Sequence, residues 1–183
     1  MSLKHALLGF LNYAPMTGYE LKQHFDGSIR HFWNSSLSRI YPMLGEMENE
    51  GLVTMEMQVQ DGRPNRKVYH MTQAGREELQ GWLRTPLDQQ PVREPFLIKV
   101  FFGANLTKEE ILAELRQKLA FHRGLLADYR GPVREGMKEN IEATGLKRDG
   151  LFWRLTLDAG LKHVTASIEW LEESIRKIEE LDE

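Results

Sequence analysis

The stretch "LSRIYPMLGEMENEGLVTMEMQVQDGRPNRKVYHM", Leu37–Met71, changes period halfway along. Leu37, Ile40, Leu44 and Met47 recur at threes and fours, which puts them on one helical face. Ser35 or Ser36 supplies the N-cap and Gly51 the stop. From Val53 the period falls to two. Val53, Met55, Met57 and Val59 alternate with Thr54, Glu56, Gln58 and Gln60, the pattern of a half-buried strand. Asp61-Gly62 is a turn signal, and "KVYHM" returns as a second strand.

Upstream, Leu3, Ala6, Leu7, Phe10 and Leu11 share a helical face that Pro15 ends. "TGYE", Thr17–Glu20, is a capping box: Thr17 caps and Glu20 reaches back. The short helix it opens carries Leu21 and Phe25 and stops at Gly27. Downstream, Thr72 caps a helix over roughly Gln73 to Leu83. Three helices, a hairpin and a further helix are the order of a winged helix-turn-helix, here residues 1–85.

Pro86 and Pro91 bracket a polar linker, and residues 86–183 read as helical. "REPFLIKVFFG" is a short apolar helix ending at Gly103, and "TKEE", Thr107–Glu110, is a second capping box. The helix it opens carries Leu112, Leu115, Leu119, His122, Leu126 and Tyr129. The last helix carries Leu157, Leu161, Val164, Ile168, Leu171, Ile175 and Ile178, after a loop near Gly131 to Gly145. These leucine-rich rows are heptad seams and are expected to form a homodimer interface, each protomer giving two long helices to a bundle; a two-helix hairpin within one chain is the alternative. A second row on the last helix, Phe152, Leu155 and Ala159, asks for more partners than one neighbouring helix supplies. The fold class is mostly α with a small β-hairpin (α+β): an N-terminal winged helix-turn-helix and a C-terminal antiparallel long-helix dimerisation domain.

On the recognition helix, Ser35, Ser38, Arg39 and Pro42 project away from the apolar face, with Tyr41 on its flank. Arg39 can fork onto a guanine edge or a phosphate, and the serines and Tyr41 can donate to phosphate oxygens. The same residues also suit a solvated helix face. An interior proline costs ~3 kcal/mol where its missing N–H leaves a buried carbonyl. Here the bond lost by Pro42 is to the Ser38 carbonyl on the outward side. The hairpin tip, "DGRPNRK", offers Arg63, Arg66 and Lys67 to phosphates with Asp61 as the sole local acid; an ordinary solubilising turn has similar composition. Residues 1–85 hold nine Lys+Arg and nine Asp+Glu, so DNA binding has to come from a local patch used twice in a dimer.

Other functions have less behind them. The chain has no cysteine, which removes disulfides, thiolate metal sites and cysteine nucleophiles and fits a reducing cytoplasm. No Gly-rich phosphate loop, His-Glu metal motif or nucleophile elbow occurs, and the six histidines form no i, i+4 pair. No enzyme, metal or cofactor is expected. No apolar run approaches the ~20 residues of a membrane span. Phe32, Trp33, His122, Trp153 and Arg154 combine aromatic and polar groups. They read either as a pocket for a small aromatic or amphipathic effector, or as core and dimer packing.

The segments "ALLGFL", "TGYEL", "RIYPML", "GLV", "KVYHMTQAGREELQGWL" and "WLEESIRKIEELD" resemble the PadR family of bacterial transcriptional regulators. The length and helical C-terminal part are similar to its second subfamily, which includes phenolic-acid-responsive repressors. The resemblance implies a homodimer that binds a palindromic operator in double-stranded DNA, commonly as a repressor, with release by a small molecule in some members. It places DNA contacts around Ser36, Ser38, Arg39, Tyr41 and Pro42 and on the wing at Gly62, Arg63, Asn65, Arg66 and Lys67. It fixes no effector. A winged-helix dimer serving as a protein-interaction or RNA-associated module is the alternative, because this fold does not dictate function.

Overall fold

The computed structural model describes residues 2–29, 32–59, 62, 65–87 and 93–181. The chain divides into two compact units, Met1–Gln89 and Gln90–Glu183.

In the first unit, α1 (Ser2–Leu11), β1 (Met16–Thr17) and α2 (Gly18–His24) precede a π-turn at Phe25–Ile29. Then come α3 (Leu37–Asn49), β2 (Val53–Gln58), β3 (Arg66–Met71) and α4 (Gln73–Arg84). The winged order stands, with two differences. Gly27 does not stop the second helix, whose last turn widens into the π-turn. The sheet has three strands in the order β1-β3-β2, because Met16 and Thr17 pair with Tyr69 and Val68. A strand of two residues has no alternation for a sequence pattern to reveal.

The core of this unit forms where the apolar faces of the helices meet: Leu7, Leu8, Leu21, Ile40, Leu44 and Met47 are fully buried. The strand β2 is covered only at its base. Val53 is buried, whereas Met57 is 46% and Val59 79% exposed, so the wing projects past the core and its apolar face stays wet. Thr72 caps α4 by accepting from the Gly75 amide at 3.1 Å and donates to the Gly51 carbonyl at 2.8 Å. Gly75 in turn lies against the Leu52 carbonyl with no room for a Cβ.

The second unit holds α5 (Pro95–Phe101), a 3-10 turn at Gly103–Asn105, α6 (Lys108–Arg130), α7 (Pro132–Thr144) and α8 (Lys147–Glu179). The region expected as a loop is the helix α7. Pro132 opens it and Gly145, at φ 69°, closes it. A fixed proline φ suits a first helical position, and glycine alone takes the left-handed C-terminal position without strain.

The helices α6 and α8 run antiparallel. Lys108 donates to the Glu179 and Leu181 carbonyls at 2.9 and 2.8 Å, Arg116 pairs with Glu179 and Arg123 with Glu172. Lys108 thereby places a cation on the negative end of α8. Between the helices Leu112, Leu115, Leu119, Leu157, Val164, Ile168, Leu171 and Ile175 form one core, flanked by Leu126, Leu161 and Ile178. All eleven residues expected at a dimer interface thus pack within the chain. A heptad row specifies that a helix face is packed, not which chain packs it. Other apolar side chains remain outside: Leu97, Ile98, Phe101 and Phe102 in and after α5, and Leu151, Phe152 and Leu155 on α8. No described helix is long and apolar enough to cross a membrane.

Candidate nucleic-acid interface

Ser36 is the N-cap residue of α3, at φ −92° and ψ 159°, but its hydroxyl does not cap. It shares a hydrogen bond with the Ser38 hydroxyl instead, at 2.7 Å. Ser38, Arg39, Tyr41 and Pro42 are exposed. The Arg39 guanidinium makes no hydrogen bond or ion pair among the described residues, while its backbone amide donates to the Ser36 carbonyl at 3.0 Å. The far end of the helix carries exposed Glu46, Glu48 and Glu50, with Glu50 paired to Lys4 at 3.2 Å. Phosphates are therefore repelled from the C-terminal half of α3 and attracted to its N-terminal half, where the helix dipole adds to Arg39.

Ser35 is corrected. It is 3% exposed and its hydroxyl has no partner among the described residues. It precedes the cap, so a projection at 100° per residue does not apply to it, and the extended backbone turns it inward. Tyr41 is also less free than expected. Its ring lies over Gly18 at the start of α2, so that a Cβ there would sit 2.5 Å from the ring Cε1.

On the wing, Gly62 turns the chain at φ 70°, and Asn65 and Lys67 are exposed. Arg63, expected as a phosphate contact, and its neighbour Asp61 lie outside the described residues. Arg66 has an acid that the local sequence does not announce: its Nη2 donates to Glu20 Oε1 at 2.5 Å, across 46 residues. The other carboxylate oxygen of Glu20 accepts from the Thr17 amide at 2.8 Å and the Thr17 hydroxyl at 2.9 Å. The Thr17 amide, opposed by burial and then helped by the Thr17 hydroxyl and Arg66, holds the Glu20 carboxyl below the usual carboxylate range.

The residues expected at an effector pocket fall on both units. Phe32 and Trp33 are exposed in the first. In the second, Arg154 is exposed, Trp153 and His122 are half-buried, and His122 Nδ1 is buried with no hydrogen-bond partner among the described residues. Burial, then the positive charges of Lys118 and His163, hold the His122 imidazole below its ordinary pKa, against a smaller pull from Glu94. Lys118 lies 5.0 Å from the Phe96 ring centroid and 3.7 Å from Glu94, and Phe96 meets Trp170 edge-on. Sequence reading passed over Lys118 and Trp170, which sit one turn from His122 and beside the α8 seam. No cluster of three or more potential metal ligands occurs among the described residues.

Three helices, a three-stranded wing sheet and a cationic, exposed start to the third helix define a winged helix-turn-helix protein with a helical second unit. Residues 7–81 match the transcriptional regulator PadR-like family, and residues 92–179 match the virulence activator alpha C-terminal family. The chain is 31% identical to a probable transcriptional regulator of Mycobacterium tuberculosis, over 98% of this chain and 99% of that one. It belongs to the PadR-like family of transcriptional regulators. It is also 27% identical to the negative transcriptional regulator PadR of Bacillus subtilis, over 97% of each chain. The crystal structure of that protein with operator DNA superposes with a TM-score of 0.82 over 97% of this chain and 98% of that one. Its structure with p-coumaric acid superposes at 0.74 over 98% and 100%. The virulence activator AphA of Vibrio cholerae, 29% identical, superposes at 0.73 over 97% and 98%.

Proposed function

We propose that the chain is a homodimeric, cytoplasmic transcriptional repressor that reads a palindromic operator and releases it on binding a small aromatic acid. DNA reading rests on one observation: the outward side chains in the N-terminal half of α3, Ser38, Arg39, Tyr41 and Pro42, are exposed and non-acidic, on a fold shared with a repressor crystallised on its operator. Arg39 reads a guanine edge, and Ser36, Ser38 and Tyr41 donate to phosphates. Pro42 meets a thymine methyl or sugar edge. Gly62, Arg63, Asn65 and Lys67 bring the wing to the backbone. Residues 1–85 carry no net charge, so each protomer binds weakly and the dimer supplies affinity. Two half-sites about 34 Å apart fit one protomer each.

The dimer forms through apolar side chains that the α6–α8 seam leaves outside, Leu97, Ile98, Phe101 and Phe102 with Leu151, Phe152 and Leu155. Its effector is an aromatic carboxylic acid. His122, whose Nδ1 has no hydrogen-bond partner among the described residues and which feels the charges of Lys118 and His163, supports that choice, as does the p-coumaric acid complex of the Bacillus relative.

Selection from random duplex DNA tests the central reading. A two-fold symmetric consensus with half-sites one turn apart is expected. Failure to enrich any sequence would overturn it in favour of an RNA or protein module. Aromatic acids should dissociate the selected duplex from the wild type and act weakly on His122→Ala.

A further inference from the structure

The DNA-reading residues sit on two elements, α3 and the β2–β3 wing, and one short stretch touches both. Thr17 pairs with Val68 in the sheet, which ties it to the strand behind the wing. Gly18 lies beneath the ring of Tyr41, two residues beyond Arg39. Glu20 divides its carboxylate. Oε2 accepts from the Thr17 amide and hydroxyl and closes the capping box of α2. Oε1 accepts from Arg66, which opens β3 opposite Gln58 at the tip end of the wing ladder.

We infer that Thr17–Glu20 is the joint that sets the wing against the recognition helix, and that Gly18, Glu20 and Arg66 are positioning residues for DNA reading. The inference rests on the DNA-binding reading above. Arg66 is committed because its acceptor is already immobilised. Two Thr17 donors fix the carboxylate plane, so the guanidinium meets a receptor in one orientation. A phosphate would have to displace an acid that has nowhere else to turn. Gly18 acts by omission. Any Cβ there must push the Tyr41 ring off its seat on α2, and with it the side chain that flanks Arg39 and Pro42 on α3.

The test is the salt dependence of operator binding by the full chain, since each phosphate contact removed lowers the slope by about one. Glu20→Gln and Arg66→Met should each weaken binding roughly three-fold. The double variant should be no weaker than either, and the slope should be that of the wild type. An Arg66→Met slope lower by about one, with tighter binding by Glu20→Gln, would show Arg66 on a phosphate and overturn the inference. Gly18→Ala should weaken binding about ten-fold in the wild-type background and less than two-fold beside Tyr41→Ala. Equal losses in both backgrounds would also overturn it. Glu20 and Arg66 are half-exposed, so their arm decides even if Gly18→Ala does not fold. Wild-type protein that selects no duplex refutes the DNA reading and this inference together, whereas wild-type binding with additive losses refutes this inference alone.

Discussion

The chain contains the same capping motif twice, and the two copies differ chiefly in what surrounds them. At Thr17–Glu20 the threonine amide donates to the glutamate at 2.8 Å and the glutamate amide returns a bond at 3.2 Å. At Thr107–Glu110 the distances are 2.8 and 3.3 Å. Their two amide bonds are the same, and the first box adds a bond from the Thr17 hydroxyl to Glu20. The second box starts α6, and Lys108 beside it secures the end of α8. The first box starts α2, carries a sheet strand, receives the wing arginine and seats the ring of the recognition helix. A local motif fixes local geometry; what it does for the molecule depends on the partners that the fold brings to its spare atoms.

Substitutions can break that contrast. The largest effect is expected at the residue after the first threonine, and the residue after the second should matter far less. Gly18→Ala overpacks against Tyr41 and should cost ~1–3 kcal/mol in urea unfolding. Lys108→Ala removes a cation from the end of α8 and should cost ~0.3–1 kcal/mol. Thr17→Ala and Thr107→Ala each lose a cap, ~1 kcal/mol by the same measurement. They separate in function: the first should also weaken operator binding, and the second should leave it unchanged. Equal operator affinities for the two would erase the contrast.

The smaller effects are pH-dependent. The Glu20 carboxyl is held below its unfolded value of 4.5, so its contribution is full above that pH and is lost as pH falls through the lower folded value. Thermal melts of Glu20→Gln should lose that part of the acid limb. His122 has a folded pKa below its unfolded 6.5, so acid favours the unfolded chain, which binds the proton first. The cost is absent above 6.5 and grows as pH falls through the folded value. His122→Gln should flatten the melting profile there, the smallest change of the set.

Both boxes were legible in the sequence, as were the helix–hairpin change of period and the order of the winged unit, because each is written within a few neighbouring residues. The Arg66–Glu20 pair was not legible, since nothing near Arg66 announces an acid 46 residues away. The strand β1 escaped through brevity. The helix α7 escaped because its polar sequence, "VREGMKENIEAT", hides a weak apolar side formed by Val133, Met137 and Ile141. Pro132 and Gly145 were the signals available. Ser35 was misplaced by carrying helical geometry past the cap, and the seam leucines were legible as packed faces but not by partner, because periodicity names a face without naming what covers it.

The joint also bears on how operator preference could be moved from one relative to another. Grafting α3 alone would bring a new Tyr41 neighbourhood onto an old Gly18 and leave the wing set for the helix that was replaced. The transferable unit is discontinuous: the recognition helix, the start of β3 at Arg66 and the four residues Thr17–Glu20. Chimeras that exchange all three should keep the donor's operator preference, and helix-only exchanges should bind DNA with blurred discrimination.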